Sequence, residues 1–168
     1  ESVPVPRFDK SADNRISEPE MVGLPVNIVL LEGWCLGARP QSAEALLEAV
    51  NQLEELEDTQ RIWRSHINAV LARDFLPLYE RVDRWVMLQA PGFDNVYQWR
   101  LEQEQKLAQA WGAASGKRIM NDAQVERFIE HFRRVTQVCL TDLPDSVDHL
   151  YVLDKSRKIH SSRNKGVV

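Results

Sequence analysis

Val26-Asn27-Ile28-Val29-Leu30-Leu31-Glu32-Gly33-Trp34-Cys35-Leu36-Gly37 is an apolar run that ends abruptly in a carboxylate and two glycines. It reads as a buried strand delivering an acid to a loop. Val26 and Ile28 to Leu31 supply the near-continuous aliphatic surface of a parallel strand covered on both faces, with Pro25 marking its start. Glu32 then stands at the carboxyl end, the edge of an open parallel sheet where ligands bind. The alternative is an ordinary core strand with a solvated Glu beyond it.

Around this stretch lie 168 residues, 43% of them hydrophobic, enough for one sizeable core and a single domain over 1–168. The net charge of -4 argues against a nucleic-acid partner, because basic residues are interleaved with acids everywhere except the last segment. No run approaches membrane-spanning length, so no membrane partner is expected. No basic segment followed by an apolar one opens the chain, so no signal peptide is read. Cys35 and Cys139 match no metal or redox spacing, which reads as a reduced cytoplasmic protein with two incidental thiols. The chain starts without Met, which leaves a processed or truncated product open.

In chain order, Val3 to Arg15 carries too many prolines and charges for a helix and reads as a short extended piece followed by a polar loop. Arg7, Asp9, Lys10, Asp13 and Arg15 alternate in sign around Phe8, a mixture that suits a polar anionic ligand, although from the residues alone a solvated loop with internal ion pairs is the favoured reading. Leu46, Leu47, Val50, Leu53 and Leu56 recur at helical spacing behind Ser42 as cap. A second helix follows Glu57-Asp58, with Thr59 as candidate cap and a stripe of Ile62, Trp63, Ile67, Val70, Leu71 and Phe75; it must end or bend near Pro77. His66 lies one position off that stripe and reads as a surface histidine.

Asp83 to Pro91 reads as a second short strand, and Asp94 as the cap of a long polar helix through Ala110 that is exposed or hinged over a site. Strand, helices, strand is the alternation of an α/β domain. Gly112-Ala113-Ala114-Ser115-Gly116-Lys117-Arg118 fails as a phosphate loop, having three residues between its glycines instead of four and Arg118 where a hydroxyl should hold magnesium. It reads as a helix-ending linker. Asn121 caps a helix whose apolar face is Val125, Phe128, Ile129, Phe132, Val135 and Val138, with His131, Arg133 and Arg134 off that face as solvated charge. His149 to Asp154 is the last strand. Lys155 to Ile159 is a candidate nucleotide contact, and 160–168 reads as a disordered tail.

Pro6-Arg7-Phe8-Asp9-Lys10-Ser11, Leu31-Glu32-Gly33-Trp34-Cys35-Leu36-Gly37 and Gln98-Trp99-Arg100-Leu101-Glu102-Gln103-Glu104, in this order, resemble the carboxyl-terminal part of the D-glycerate 3-kinase-like P-loop kinases. These belong with the uridine kinase, phosphoribulokinase and pantothenate kinase group. The resemblance runs from Val3 to about Ile159 and implies an incomplete P-loop NTPase-type parallel sheet flanked by helices, in a helix-rich α/β fold. It implies transfer of the γ-phosphoryl group of ATP, with Mg2+, to a hydroxyl of a small acceptor such as D-glycerate. By the same resemblance Asp9 faces the acceptor hydroxyl, and Arg7, Lys10, Arg15 and Trp34 bind the acceptor. Glu32 is the magnesium-side acid or the base, and Arg100 is a lid arginine. Lys155 and Lys158 lie toward the nucleotide.

The departure from that pattern is large. The first strand, the phosphate loop with its Lys and Ser or Thr, and the helix behind it have no counterpart in these residues, and they hold the β- and γ-phosphates and the metal. The chain alone is therefore expected to be inactive. In these kinases the missing strand lies beside the Glu32 strand, so a partner is expected to fill the gap, either a missing amino-terminal segment or another copy of the chain. A non-catalytic α/β module that binds a ligand or partner is the alternative.

Overall fold

The computed structural model of the chain describes residues 1–9, 14–111 and 120–166. Its elements mix helices with a small sheet that contains one parallel pair. The amino-terminal residues, expected as one extended piece and a loop, form two nested antiparallel pairs: β1 (Ser2–Val5) against β4 (Glu20–Gly23), and β2 (Phe8–Asp9) against β3 (Asn14–Arg15). The expected loop residues 10–13 lie outside the described residues.

The stretch 26–33 departs most from expectation. It forms no strand, and Ile28, Val29 and Leu30 are 83%, 82% and 90% exposed. The physical reason is that aliphatic composition creates a demand for cover without supplying a hydrogen-bonding neighbour. Among the described residues none pairs with this run.

Helix α1 is shorter than its periodicity implied, covering Gln52–Glu57, because Asn51 starts it: the Asn51 side chain accepts from the Glu54 N–H at 2.9 Å. Ser42 accepts from Ala45 N–H at 3.3 Å and caps only a turn. Asp58, not Thr59, opens α2 (Ile62–Val70), its carboxylate accepting from the N–H groups of Trp63 and Arg64 at 2.9 and 3.1 Å. The chain then widens into a π-helical stretch, Leu71–Phe75, before α3 (Leu76–Tyr79). Pro77 has no N–H for the carbonyl one turn back, and the looser winding just before it accommodates that loss.

Strand β5 (Val86–Gln89) runs parallel to β6 (His149–Leu153), and β7 (Ile159–Asn164) adds antiparallel on the far side of β6. Residues 160–164, expected within a disordered tail, are thus in a strand, held by ladder bonds from His149↔Asn164 to Val152↔Ser161. Residues 167 and 168 lie outside the described residues. Among the described residues the order β5-β6-β7 leaves β5 as an open edge, where Val86 and Leu88 are 57% and 65% exposed. Asp148 fastens the start of the sheet: its carboxylate accepts from Trp85 N–H at 2.7 Å.

Helix α4 (Phe93–Trp111) begins two residues before the expected start, so Asp94 sits in its first turn, beside the positive end of the dipole. The Gly112 to Arg118 segment lies outside the described residues. Asn121 and Gln124 form a capping box for α5 (Asp122–Glu130), and α6 (Arg133–Asp142) follows after a break at 131–132. Among the described residues two apolar clusters result. One joins Ala38, Cys139, Leu143, Val147 and Leu150; the other joins Phe93, Val125 and Ile129.

Candidate active site

Glu32 lies where an unpaired apolar run meets a tightly anchored turn. Leu36 N–H donates to Gly33 C=O at 3.3 Å and Ala38 N–H to Cys35 C=O at 3.1 Å, closing the turn 34–37. Two residues in it hold left-handed backbone, Cys35 at φ 61° and Gly37 at φ 94°. Glycine suits position 37 for a second reason: a Cβ there would meet Trp85 at 3.2 Å and Leu143 at 3.3 Å, so both side chains would have to give way.

Helix α6 and its approach hold this turn from behind. Trp34 stacks on Phe132 with ring centroids 4.7 Å apart, so its indole is committed to packing on one face while remaining 43% exposed. The Cys35 thiol lies 3.4 Å from the Thr136 hydroxyl, and Cys139 donates to Cys35 C=O at 3.8 Å. The two thiols read as incidental in the sequence are therefore neighbours, brought together across 104 positions by the packing of the turn on α6. Hydrogen bonding from Cys139 lowers the Cys35 pKa against the opposing effect of burial, and bonding to Cys35 together with burial pushes Cys139 up.

Glu32 itself is exposed, and among the described residues no side chain pairs with it. It is a hard oxygen donor of the kind Mg2+ takes, one or two carboxylates being enough where phosphate oxygens and waters complete the octahedron. Among the described residues no group of three or more His, Cys, Asp or Glu gathers to hold a metal without such help.

The other candidate residues are distributed over three places. Asp9 pairs in register with Asn14 at the tip of the inner hairpin, Arg15 sits opposite Phe8, and Arg7 lies 3.8 Å from Glu20 on the same exposed hairpin. Lys10 lies outside the described residues. Arg100 is on α4, where it bonds Gln103 at 2.7 Å and the buried Glu104 at 2.5 Å and covers the Phe128 ring at 5.5 Å. In this state it is held on its own helix. Lys155 and Lys158 are exposed in the turn between β6 and β7, and that turn touches α4: Trp99 Nε1–H donates to Lys155 C=O at 3.0 Å and Arg157 pairs with Glu102. The structure thus joins the turn that carries both Lys residues to the Arg100 helix.

Sequence periodicity missed a buried charge cluster. Arg134, expected as solvated charge, is 7% exposed. It donates to both Glu54 carboxylate oxygens at 2.8 and 2.6 Å and to the carbonyls of Ala45 and Glu48. Arg64 meets Glu54 at 3.1 Å and Asp58 at 3.2 Å. Burial alone pushes the Glu54 carboxyl up, but the bonds from Arg134 and Val50 N–H, with the charges of Arg134 and Arg64, leave it below its ordinary value. These groups line a cleft of about 440 Å³ with Leu46, Trp63, Ile67 and Val138. Glu32, Asp9 and Arg100 do not line it, and its acids Glu54, Glu57, Asp58 and Glu130 outnumber Arg39, Arg64 and Arg134.

No protein-family model matches the chain. Over 139 residues, 76% of the chain, it is 30% identical to the chloroplastic D-glycerate 3-kinase of Arabidopsis thaliana, of which it covers 26%. Over 98% of the chain it is 26% identical to the probable ATP-dependent kinase TDA10 of Saccharomyces cerevisiae, covering 57% of that protein. The chain therefore spans from 26% to 57% of the length of these curated relatives. The solved D-glycerate 3-kinase of Cryptococcus neoformans matches with a TM-score of 0.74 at 23% identity, covering 98% of this chain and 60% of that one, which shows a shared fold. No helix among the described residues is long and apolar enough to cross a membrane.

Proposed function

We propose, from the premise that this chain is D-glycerate 3-kinase-like, that it is the carboxyl-terminal portion of an ATP-dependent kinase that phosphorylates a hydroxyl of a small acid, D-glycerate or a close analogue. The observation that carries this reading is Glu32: an exposed, unpaired carboxylate after an apolar run, on a turn pinned by Trp34, Cys35 and Gly37. Bound MgATP supplies the phosphoryl group and the cation that offsets its charge. Glu32 would hold the cation's water shell, and the anchored turn keeps that carboxylate in place, which matters because phosphoryl transfer depends on alignment and charge neutralisation.

Asp9 on its hairpin would orient the acceptor hydroxyl, with Arg7, Lys10 and Arg15 offering charge to the acceptor carboxylate and Trp34 presenting its exposed edge to it. Arg100 would join the phosphoryl group only by exchanging Glu104 for it, a swing of the α4 side chain. Lys155 and Lys158, tied to α4 through Trp99, would follow that helix toward the nucleotide.

The sequence contains no phosphate loop, so a segment outside these residues, or a second copy, is expected to complete the sheet beside β5 and the Glu32 run. The test is transfer from ATP to D-glycerate by the full-length gene product. Turnover that falls at least about 100-fold in Glu32→Gln, with the fold retained, supports the assignment. Saturable acceptor binding with no turnover in the full-length protein favours the non-catalytic module, and unchanged turnover in Glu32→Gln removes Glu32 from the mechanism.

A further inference from the structure

The turn that carries Glu32 is fastened to α6 at one reactive point. Cys35 is half-buried and holds left-handed backbone, φ 61°, a conformation unfavourable for a side chain with a Cβ. Its sulfur lies 3.4 Å from the Thr136 hydroxyl on α6, and one turn further along that helix the Cys139 thiol donates to the Cys35 carbonyl at 3.8 Å. Cys139 is 7% exposed, and Cys35 packs against the cluster that Cys139 belongs to. We propose that Cys35 and Cys139 are a redox pair whose sulfurs join on oxidation, locking the Glu32 turn to α6.

The co-reactant is a small disulfide. The Cys35 thiolate attacks one of its sulfurs, breaking that bond and releasing the first small thiolate, which takes up a proton. Cys139, losing its proton to solvent, attacks the Cys35 sulfur and releases the second. Two protein thiols are oxidised and one small disulfide is reduced to two thiols. Cys35 is the entry point because it is the more accessible sulfur and its thiolate is stabilised by the Cys139 S–H, whereas Cys139 is buried and holds its proton. The bond brings the sulfurs to about 2.05 Å, and closing it draws the turn and α6 toward each other. A displacement near 1 Å at a catalytic group costs about 100-fold in rate.

The pairing rests on the placement of Cys35 against Thr136 and Cys139; its effect on turnover rests on the kinase reading, and the readouts separate the two. The full-length protein is equilibrated with oxidised glutathione, alkylated, digested and mapped by mass, with thermal melts in parallel. A Cys35–Cys139 linked peptide, reversed by dithiothreitol and absent in Cys139→Ser, with a melting temperature raised by about 10 °C from closing a loop of about 100 residues, supports the pairing. A stable glutathione adduct on Cys35, or two thiols that remain alkylatable at every ratio of oxidised to reduced glutathione, overturns it. D-glycerate phosphorylation is read in the same samples: absent even under reducing conditions, it defeats the kinase reading while the linked peptide still decides the pairing.

Discussion

Gly37 shows how much one residue sets at this site. It supplies positive φ at the end of the Glu32 turn and lets Trp85 and Leu143 close over it. Gly37→Ala is expected to cost about 1–3 kcal/mol, from backbone strain and from neighbours that must give way, read as a lower melting temperature. The apolar-then-glycine pattern marked this turn in the sequence, and the acid just before it. What the pattern left unread was the partner of each residue: that Trp34 stacks on Phe132, and that Cys35 and Cys139 meet. Such pairs are set by the approach of α6 from a hundred positions away, and no local spacing encodes that approach. Asp148 is a second residue with one structural task. The Trp85 N–H bond, with Arg84 nearby, holds its carboxyl below the ordinary range despite some desolvation. Its contribution is therefore present above the unfolded value of about 3.9 and is lost as pH falls through the lower folded value.

Among the elements, α1, α2 and α6 are held together by charge as much as by apolar contact. Glu54 on α1 takes Arg134 from α6 and Arg64 from α2, with side-chain exposures of 11%, 8% and 4%. Removing the carboxylate charge leaves two buried guanidinium groups without their anion. Glu54→Gln is therefore expected to destabilise by about 3–5 kcal/mol, measured by urea unfolding, and a change under 1 kcal/mol would show the cluster to be dispensable. Because the Glu54 pKa is depressed in the fold, its share of stability is complete above the unfolded value of about 4.3 and fades as pH drops through the folded one. Local chemistry in the sequence located several element starts correctly. The Asn121 capping box is one, and Asn121→Ala should cost about 1 kcal/mol. It misplaced others for the same local reason. Asn51 outcompeted Ser42 as a helix start, and Asp58 outcompeted Thr59, because each finds two functions at once: Asn51 also donates to Glu130 at 2.7 Å, and Asp58 also faces Arg64.

At the scale of the whole molecule, the exposed run Ile28 to Leu31 and the open edge of β5 are two unfilled demands. Covering four aliphatic side chains is worth about 1.5–3 kcal/mol each when complete, so a strand laid against them would stabilise the fold by several kcal/mol. The isolated chain is accordingly expected to self-associate, and sedimentation should show species larger than its 19.4 kDa. A monodisperse monomer with one cooperative melt would sink the expectation of a partner. From the sequence alone, the α/β alternation, the strands β5 and β6, the long polar helix α4 and the acid at the end of an apolar run were all determined, because periodicity and capping are properties of neighbours along the chain. Tertiary structure alone decided that Val26 to Leu31 stays out of the sheet, that Arg134 is buried on Glu54, and that the Cys139 thiol reaches the Cys35 carbonyl. Hydrophobic composition states what a segment would bury, whereas burial itself depends on which surfaces the rest of the fold brings to it.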